Sequence, residues 1–257
     1  MSIKITTYDI TVVPYNPTWP TLFAEEAAHI REALGENCIE IHHIGSTSVP
    51  GLAAKPVIDI LVGVKDLRAI DRRSTDKIIA LGYEDKAEYG IPLRHFFYKQ
   101  RPIRTHNLHI YEQGYPEIER HLKFRDWLRN HEPDRLAYAT LKQQLALQYP
   151  RDIIGYGMGK EAFVHHVEAL AGFNKPRFLF PYTEHEWNEY YRISDEQPKH
   201  HGCFASSEPQ FILYKGLEII AIAFEKAISI DEPYKGQGYE ALMAQLLERW
   251  YKFHAQP

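Results

Sequence analysis

Residues Ile41–Val64 read IHHIGSTSVPGLAAKPVIDILVGV, and two features of this stretch set the expected fold. Gly45-Ser46 follows the strand-like Cys38-Ile39-Glu40-Ile41, so backbone N–H groups and a hydroxyl are placed to face a phosphate where the chain turns. Asp59 comes thirteen positions after Ser46, inside Val57-Ile58-Asp59-Ile60-Leu61-Val62, a run apolar on both faces except for this carboxylate. A charge there has to be paired, hold a metal, or sit at a strand end. Strands are predicted over 38–44 and 57–64, with a helical turn at Leu52-Ala53-Ala54 between them. Lys55 precedes Pro56 and is biased to extended geometry, which aims its ammonium either into the cleft with Ser46 or into solvent.

Upstream, Asn16-Pro17-Thr18-Trp19-Pro20 leads into a helix whose buried stripe is Leu22, Phe23, Ala27, Ile30 and Leu34, with Gly35 as its stop. Downstream, 66–81 reads as a peripheral helix ending at Gly82, and 94–112 as two strands joined by a basic turn with Lys99, Arg101 and Arg104. Alternation in the second of these strands puts Asn107, His109 and Tyr111 on one face. In the helix around 117–131, Arg125 falls within the stripe formed by Ile118, Leu122, Phe124 and Leu128. An arginine so placed must find an anion, either a ligand phosphate or an internal partner such as Asp59 or Asp126. A helix starting at Asp134 and another over 160–171 follow, and the glycines of Tyr156-Gly157-Met158-Gly159-Lys160 are positioned to form a phosphate-facing loop at the start of the latter.

With 257 residues, the chain is long enough for two domains, and Gly172-Phe173-Asn174-Lys175-Pro176 is the linker, dividing 1–173 from 174–257. A net charge of −4 gives no overall pull toward nucleic acid or an anionic membrane. No apolar run approaches the roughly 20 residues of a spanning helix. Cys38 and Cys203 fall in different domains without metal-ligand spacing, which fits a reducing cytoplasm.

A Gly-Ser turn, a short intervening helix and a strand bearing Asp resemble the nucleotidyltransferase fold of DNA polymerase beta type, and HIGSTSVPGLAAKPVIDILV resembles the GrpB family of that superfamily. Further matches are VVPYNPTWPTLFAEEA, Leu81-Gly82-Tyr83, HNLHI at 106–110, HLKFRDWLR at 121–129, and Tyr156 with Lys160 and Phe163. The resemblance implies an α+β fold, a mixed sheet flanked by helices, that binds a nucleotide or other phosphate-bearing small molecule. Gly45, Ser46, Lys55, Arg125 and Lys160 would hold the phosphate. Where such a fold is catalytic, it transfers a nucleotidyl group to a small acceptor with a divalent metal, Mg²⁺ or Mn²⁺. In the superfamily two carboxylates separated by one residue hold the metal, whereas this chain has Leu61 at the second position, leaving Asp59 alone. The superfamily's third carboxylate would map to His109, which stands as a substitute ligand, a base, or a hydrogen-bonded part of the cleft wall.

In the second domain, a helix over 183–193, a hairpin over 210–224 turning at Lys215-Gly216, and a strand over 227–230 precede Tyr234-Lys235-Gly236-Gln237-Gly238-Tyr239 and a final helix. The strand, Gly-rich turn and helix resemble the acetyl-CoA pyrophosphate loop of the GNAT acetyltransferases, which implies a truncated GNAT-like α/β domain with Lys235, Gly236, Gln237 and Gly238 at the cofactor. Lys235 and Glu240 depart from that signature. The alternatives to nucleotide binding are therefore acetyl-CoA-dependent N-acetyl transfer by this domain, or a non-catalytic accessory role for the whole chain.

Overall fold

A computed structural model describes residues 9–100, 102–194, 210–224 and 227–255. Arg101 and Cys203 lie outside these residues. The chain divides into two compact units, one of residues 1–87 and 94–173, the other of 88–93 and 174–257.

The first unit opens with α1 (Trp19–Leu34), started by Pro20 in its first turn and stopped by Gly35 at φ +56°. Its inner face is Trp19, Ala27, Ile30, Ala33 and Leu34. Leu22, assigned above to the stripe, is instead 43% exposed, and Trp19 takes the buried place one turn earlier. The strand β1 (Cys38–Ile44) follows, then β2 (Ile58–Val64), α2 (Arg72–Ala80), β3 (Glu84–Asp85), β4 (His95–Gln100) and β5 (Arg104–Glu112). These make a five-stranded sheet in the order β1-β2-β5-β4-β3, with β2 and β5 parallel and the other neighbours antiparallel. A central strand covered on both faces accounts for the unbroken apolar run of β2. No helix forms at 52–54; the helical turn is a 3-10 turn at Ser46–Ser48, and Ala54 pairs with Val13 in an isolated bridge.

The helices α3 (Pro116–Asn130), α4 (Glu132–Gln148), α5 (Ile153–Met158) and α6 (Glu161–Leu170) complete the unit. Each of α3 and α4 carries a proline in its first turn with acidic residues beside it, which suits the donor-rich N-terminal end. Gly157 and Gly159 do not form the expected phosphate-facing loop, because 153–158 is itself helical and Gly159 continues with φ −60°. Gly159 is small because Leu145 packs against it: a Cβ there would lie 2.4 Å from Leu145 Cδ2.

In the second unit, β6 (Arg177–Leu179), β7 (Gln210–Lys215), β8 (Glu218–Phe224) and β9 (Ala227–Ile230) form an antiparallel sheet in chain order. The helix α7 (Glu184–Ser194) covers it through Trp187, Tyr190 and Tyr191, packed on Ile212, Ile222 and Phe224. The helix α8 (Tyr239–His254) packs near β8 and β9, and its Trp250 and His254 both donate to Glu88 at 3.0 Å. No helix among the described residues is long and apolar enough to cross a membrane.

Candidate functional site

The end of β1 and the start of β2 meet at the pair Ile44↔Asp59, and the chain leaves β1 through Gly45 at φ +67° and ψ −174°. Only glycine adopts that conformation readily. It is required sterically as well, since a Cβ on Gly45 would stand 2.3 Å from Asp59 Oδ2. The turn and the acid that the sequence sets thirteen residues apart are thus in contact.

The segment that leaves this turn is tied down on several sides. His43 Nε2 donates to Thr47 Oγ1 (3.0 Å), whose hydroxyl donates to the Val57 carbonyl (3.1 Å). Burial, against the pull of Asp59 and with the help of Arg129 and Arg125, drives His43 down to about 4, so its ring is neutral near pH 7. The Ser48 hydroxyl donates to the Gly45 carbonyl (2.6 Å), and Arg129 donates twice to the Ser48 carbonyl, at 3.1 and 2.8 Å. Lys142, only 2% exposed, donates to the Ala53 carbonyl. These bonds hold Ser46 and Lys55 in place.

Beside Asp59 the parallel register sets Asn107, and His109 lies opposite Leu61. The strand neighbour of the acid is therefore Asn107, one alternation before the histidine singled out in sequence. Asn107 Nδ2 donates to Asp59 Oδ1 at 2.7 Å, while its own buried Oδ1 accepts no hydrogen bond among the described residues. His109 Nε2 stands 4.0 Å from Asp59 Oδ1, and its Nδ1 accepts from Arg94 at 3.3 Å. An arginine can only donate, so Nδ1 carries the lone pair and Nε2 the hydrogen. In this arrangement His109 offers Asp59 a donor rather than a metal a lone pair. Burial raises the affinity of Asp59 for a proton, but His109, Asn107 and Lys55 together outweigh it and hold the carboxyl below its usual range. Burial lowers His109 against the attraction of Asp59, and Arg94 and Arg120 lower it further.

Around this point stand four cations. The ammonium groups of Lys160 and Lys55 lie 4.5 and 5.1 Å from the centroid of the Tyr156 ring. Lys142 lies 4.6 Å from that of Tyr138, which stands near Ser46. Arg104, stacked on Tyr98 at 3.9 Å, is close enough to act on Lys55. Among the described residues none of the three lysines has a carboxylate at ion-pair distance. Burial first, then repulsion between them, lowers Lys142 to about 7 and Lys160 to about 8, Asp59 partly relieving Lys160. Burial also lowers Lys55, against the attraction of Asp59.

Arg125 is engaged elsewhere. It grips Asp126 with two bonds, at 2.7 and 3.0 Å, and donates to the His43 carbonyl at 3.1 Å, which fastens α3 to β1. A second buried arginine, Arg120, binds Glu117 at 2.8 Å and Glu168 at 2.5 Å, joining α3 to α6. Lys235, Gly236, Gln237 and Gly238 form the loop before α8 in the second unit. Gly236 and Gly238 have φ +74° and +85°, Lys235 pairs with Glu232, and the Gln237 amide donates to the Pro233 carbonyl at 2.9 Å.

Residues 9–169 match the family described as GrpB protein, more than half of the chain. The chain belongs to the GrpB family. Its GrpB region is 44% identical over 162 residues to UPF0157 protein YqkA of Bacillus subtilis (strain 168), a match that spans 63% of this chain but only 47% of that relative. It is 40% identical over 164 residues to UPF0157 protein BH1888 of Halalkalibacterium halodurans, with 62% of this chain and 80% of that protein covered. The solved structure titled as the conserved protein GrpB from Enterococcus faecalis is similar at a TM-score of 0.60 and 42% identity, over 63% of this chain and 96% of the other. The GrpB match contains every residue of the lysine-lined site and stops short of residues 174–257, the larger part of the second unit.

Proposed function

We propose that the GrpB unit binds a nucleotide or another phosphate-bearing small molecule over the Gly45-Ser46 turn, with Lys55 and Lys160 as the phosphate ligands. The observation that carries this reading is uncompensated charge: three lysines gather around Tyr138 and Tyr156 with no carboxylate at ion-pair distance among the described residues. A charge removed from water is costly unless an opposite charge meets it, and a phosphate supplies that charge. Glycine at position 45 lets a ligand approach the backbone closely, and Ser46 adds a hydroxyl beside it. Arg125 plays no part in this pocket, its guanidinium being taken by Asp126 and a backbone carbonyl.

Nucleotidyl transfer through a divalent metal would need more than Asp59. Asp59 Oδ1 is already bonded to Asn107, Leu61 is fully buried beside it, and His109 presents a hydrogen. Among the described residues no cluster of three or more histidines, cysteines or acids is set to hold an ion. The donor set does not fit Mg²⁺ or Mn²⁺, which favour several hard oxygen ligands in octahedral array. Binding is therefore the activity proposed, and no step is drawn through a metal.

Calorimetry of the full chain with ATP, GTP, CTP, UTP and inorganic tripolyphosphate tests the reading. Binding to wild type that weakens by about ten- to a hundredfold in Lys160→Met supports it, because a hydrogen bond to a charged group contributes about 1.5–3 kcal/mol. Absence of binding by any of these compounds overturns it.

A second reading assigns acetyl-CoA to Lys235–Gly238. It is favoured by the strand, left-handed glycine and helix sequence through β9, Gly238 and α8. Thermal stabilisation of the full chain by CoA, abolished by Gly238→Asp, is the expected result, and no shift with CoA dismisses it.

A further inference from the structure

The same pocket bears on how the phosphate charge is neutralised, an inference that rests on the proposed function above. We infer that this GrpB unit binds polyphosphate without a divalent metal, with the ammonium groups of Lys55, Lys142 and Lys160 and the guanidinium of Arg104 standing where metal ions would otherwise balance the ligand.

Three observations lead there. The carboxylate side of the site is poor in ligands, with Leu61 fully buried on the sheet face of Asp59 and Asn107 donating its amide to the acid. The cationic side is rich, with two ammonium groups on the ring of Tyr156, a third on Tyr138, and Arg104 on Tyr98. The two sides lie near one another, since Asp59 is close enough to act electrostatically on Lys55, Lys160 and Tyr138. A metal-dependent site has the opposite balance, with carboxylates clustered on the protein and their charge answered by the ion. Here the protein has a surplus of positive charge, and an added divalent cation would be repelled until the anion arrives.

Lys142 differs from the other two lysines. It is almost fully buried, its ammonium is fixed on the Ala53 carbonyl, and it acts as a positioning residue behind the ligand-facing pair. The groups that face it are Lys55 and Lys160, the ring of Tyr138 and that carbonyl. With its pKa lowered to about 7 it is only partly protonated near neutrality, and a bound polyanion draws it to full charge. Binding therefore takes up a proton.

Calorimetry of the full chain with inorganic tripolyphosphate as probe, once with EDTA and once with Mn²⁺, separates the alternatives. The expected result is equal affinity in the two, within about threefold, with a loss of about ten- to a hundredfold in Lys55→Met and in Lys160→Met under EDTA. Titrations near pH 8 in buffers of different ionisation enthalpy are expected to show proton uptake that is reduced but not abolished in Lys142→Met, since Lys160, lowered to about 8, also gains protons there; uptake unchanged in Lys142→Met would overturn the role given to Lys142. Lys142→Gln, which can still donate to the Ala53 carbonyl, gives the same readout if the methionine variant does not fold. Binding that EDTA abolishes and Mn²⁺ restores would overturn the inference and leave the proposed ligand class standing. No binding with or without Mn²⁺ would remove both.

Discussion

Replacing Gly45 by alanine is the sharpest test of how the turn and the acid are joined. Two costs arise at one position. At φ +67° and ψ −174° an alanine backbone is strained by about 1–3 kcal/mol. The new Cβ would also meet Asp59 Oδ2 at 2.3 Å, Cγ at 3.0 Å and Cβ at 3.1 Å, so the carboxylate has to turn away and the backbone at Asp59 has to give by a few tenths of an ångström. Moving Asp59 loses the hydrogen bond from Asn107, which as a bond to a charged group is worth about 1.5–3 kcal/mol. Together these come to about 2.5–6 kcal/mol. Gly114→Ala is the matched control, because Gly114 has φ +81° but nothing within 4 Å of a built Cβ. It should lose only the backbone term of about 1–2 kcal/mol. Native-state hydrogen exchange of the β1 and β2 amides in the full chain reads the difference within the first unit. A Gly45→Ala variant no less stable than Gly114→Ala would refute the contact between turn and acid.

Other perturbations follow from the same geometry. Asn107→Asp sets a second carboxylate beside Asp59, and the variant should gain Mn²⁺ binding that wild type lacks, measured by electron paramagnetic resonance of bound Mn²⁺. Lys142 titrates near 7 in the folded chain and near its ordinary value of 10.5 when unfolded, so the unfolded state holds more protons between these values. Stability should accordingly rise with pH across that window, by up to about 1.4 kcal/mol per pH unit from this group, and urea midpoints of Lys142→Met should lose that slope. Arg120→Leu leaves Glu117 and Glu168 buried without their shared cation, and an unfolding loss of about 3–5 kcal/mol is expected. Arg94→Met removes the donor to His109 Nδ1 and a repelling charge, so nitrogen NMR should show the wild-type ring as the Nε2–H tautomer and a higher pKa in the variant.

Much of the first unit was legible in the chain because its signals are local. The bounds of β1 and the bulk of β2 follow from apolar runs ended by Gly45 and Lys65, and the helix stops at Gly35 and Gly82 follow from glycine's freedom. The partner of Asp59 was not legible. Alternation correctly groups Asn107 with His109 on one face, but which of them meets the acid depends on the register between β2 and β5, and nothing local encodes it. Arg125 was detectable as a charge in an apolar stripe, yet its anion is the adjacent Asp126, which pattern alone does not distinguish from a ligand. Lys142 carried the same kind of signal. It sits four residues after Tyr138 on the inner face of α4, and a lysine one turn from a buried tyrosine is as much a charge in an apolar stripe as Arg125. The Gly157 and Gly159 pair misled because glycine also serves where a side chain from another turn packs closely, here Leu145 against Gly159.

The central claim is that the Gly45-Ser46 turn and the lysines around Tyr156 hold one phosphate-bearing ligand. A crystal structure of the full chain grown with ATP tests it most directly. The account predicts phosphate oxygens within hydrogen-bonding reach of the Gly45-Ser46 backbone and of Lys55 or Lys160 Nζ. Nucleotide bound with its phosphates away from these groups would contradict it.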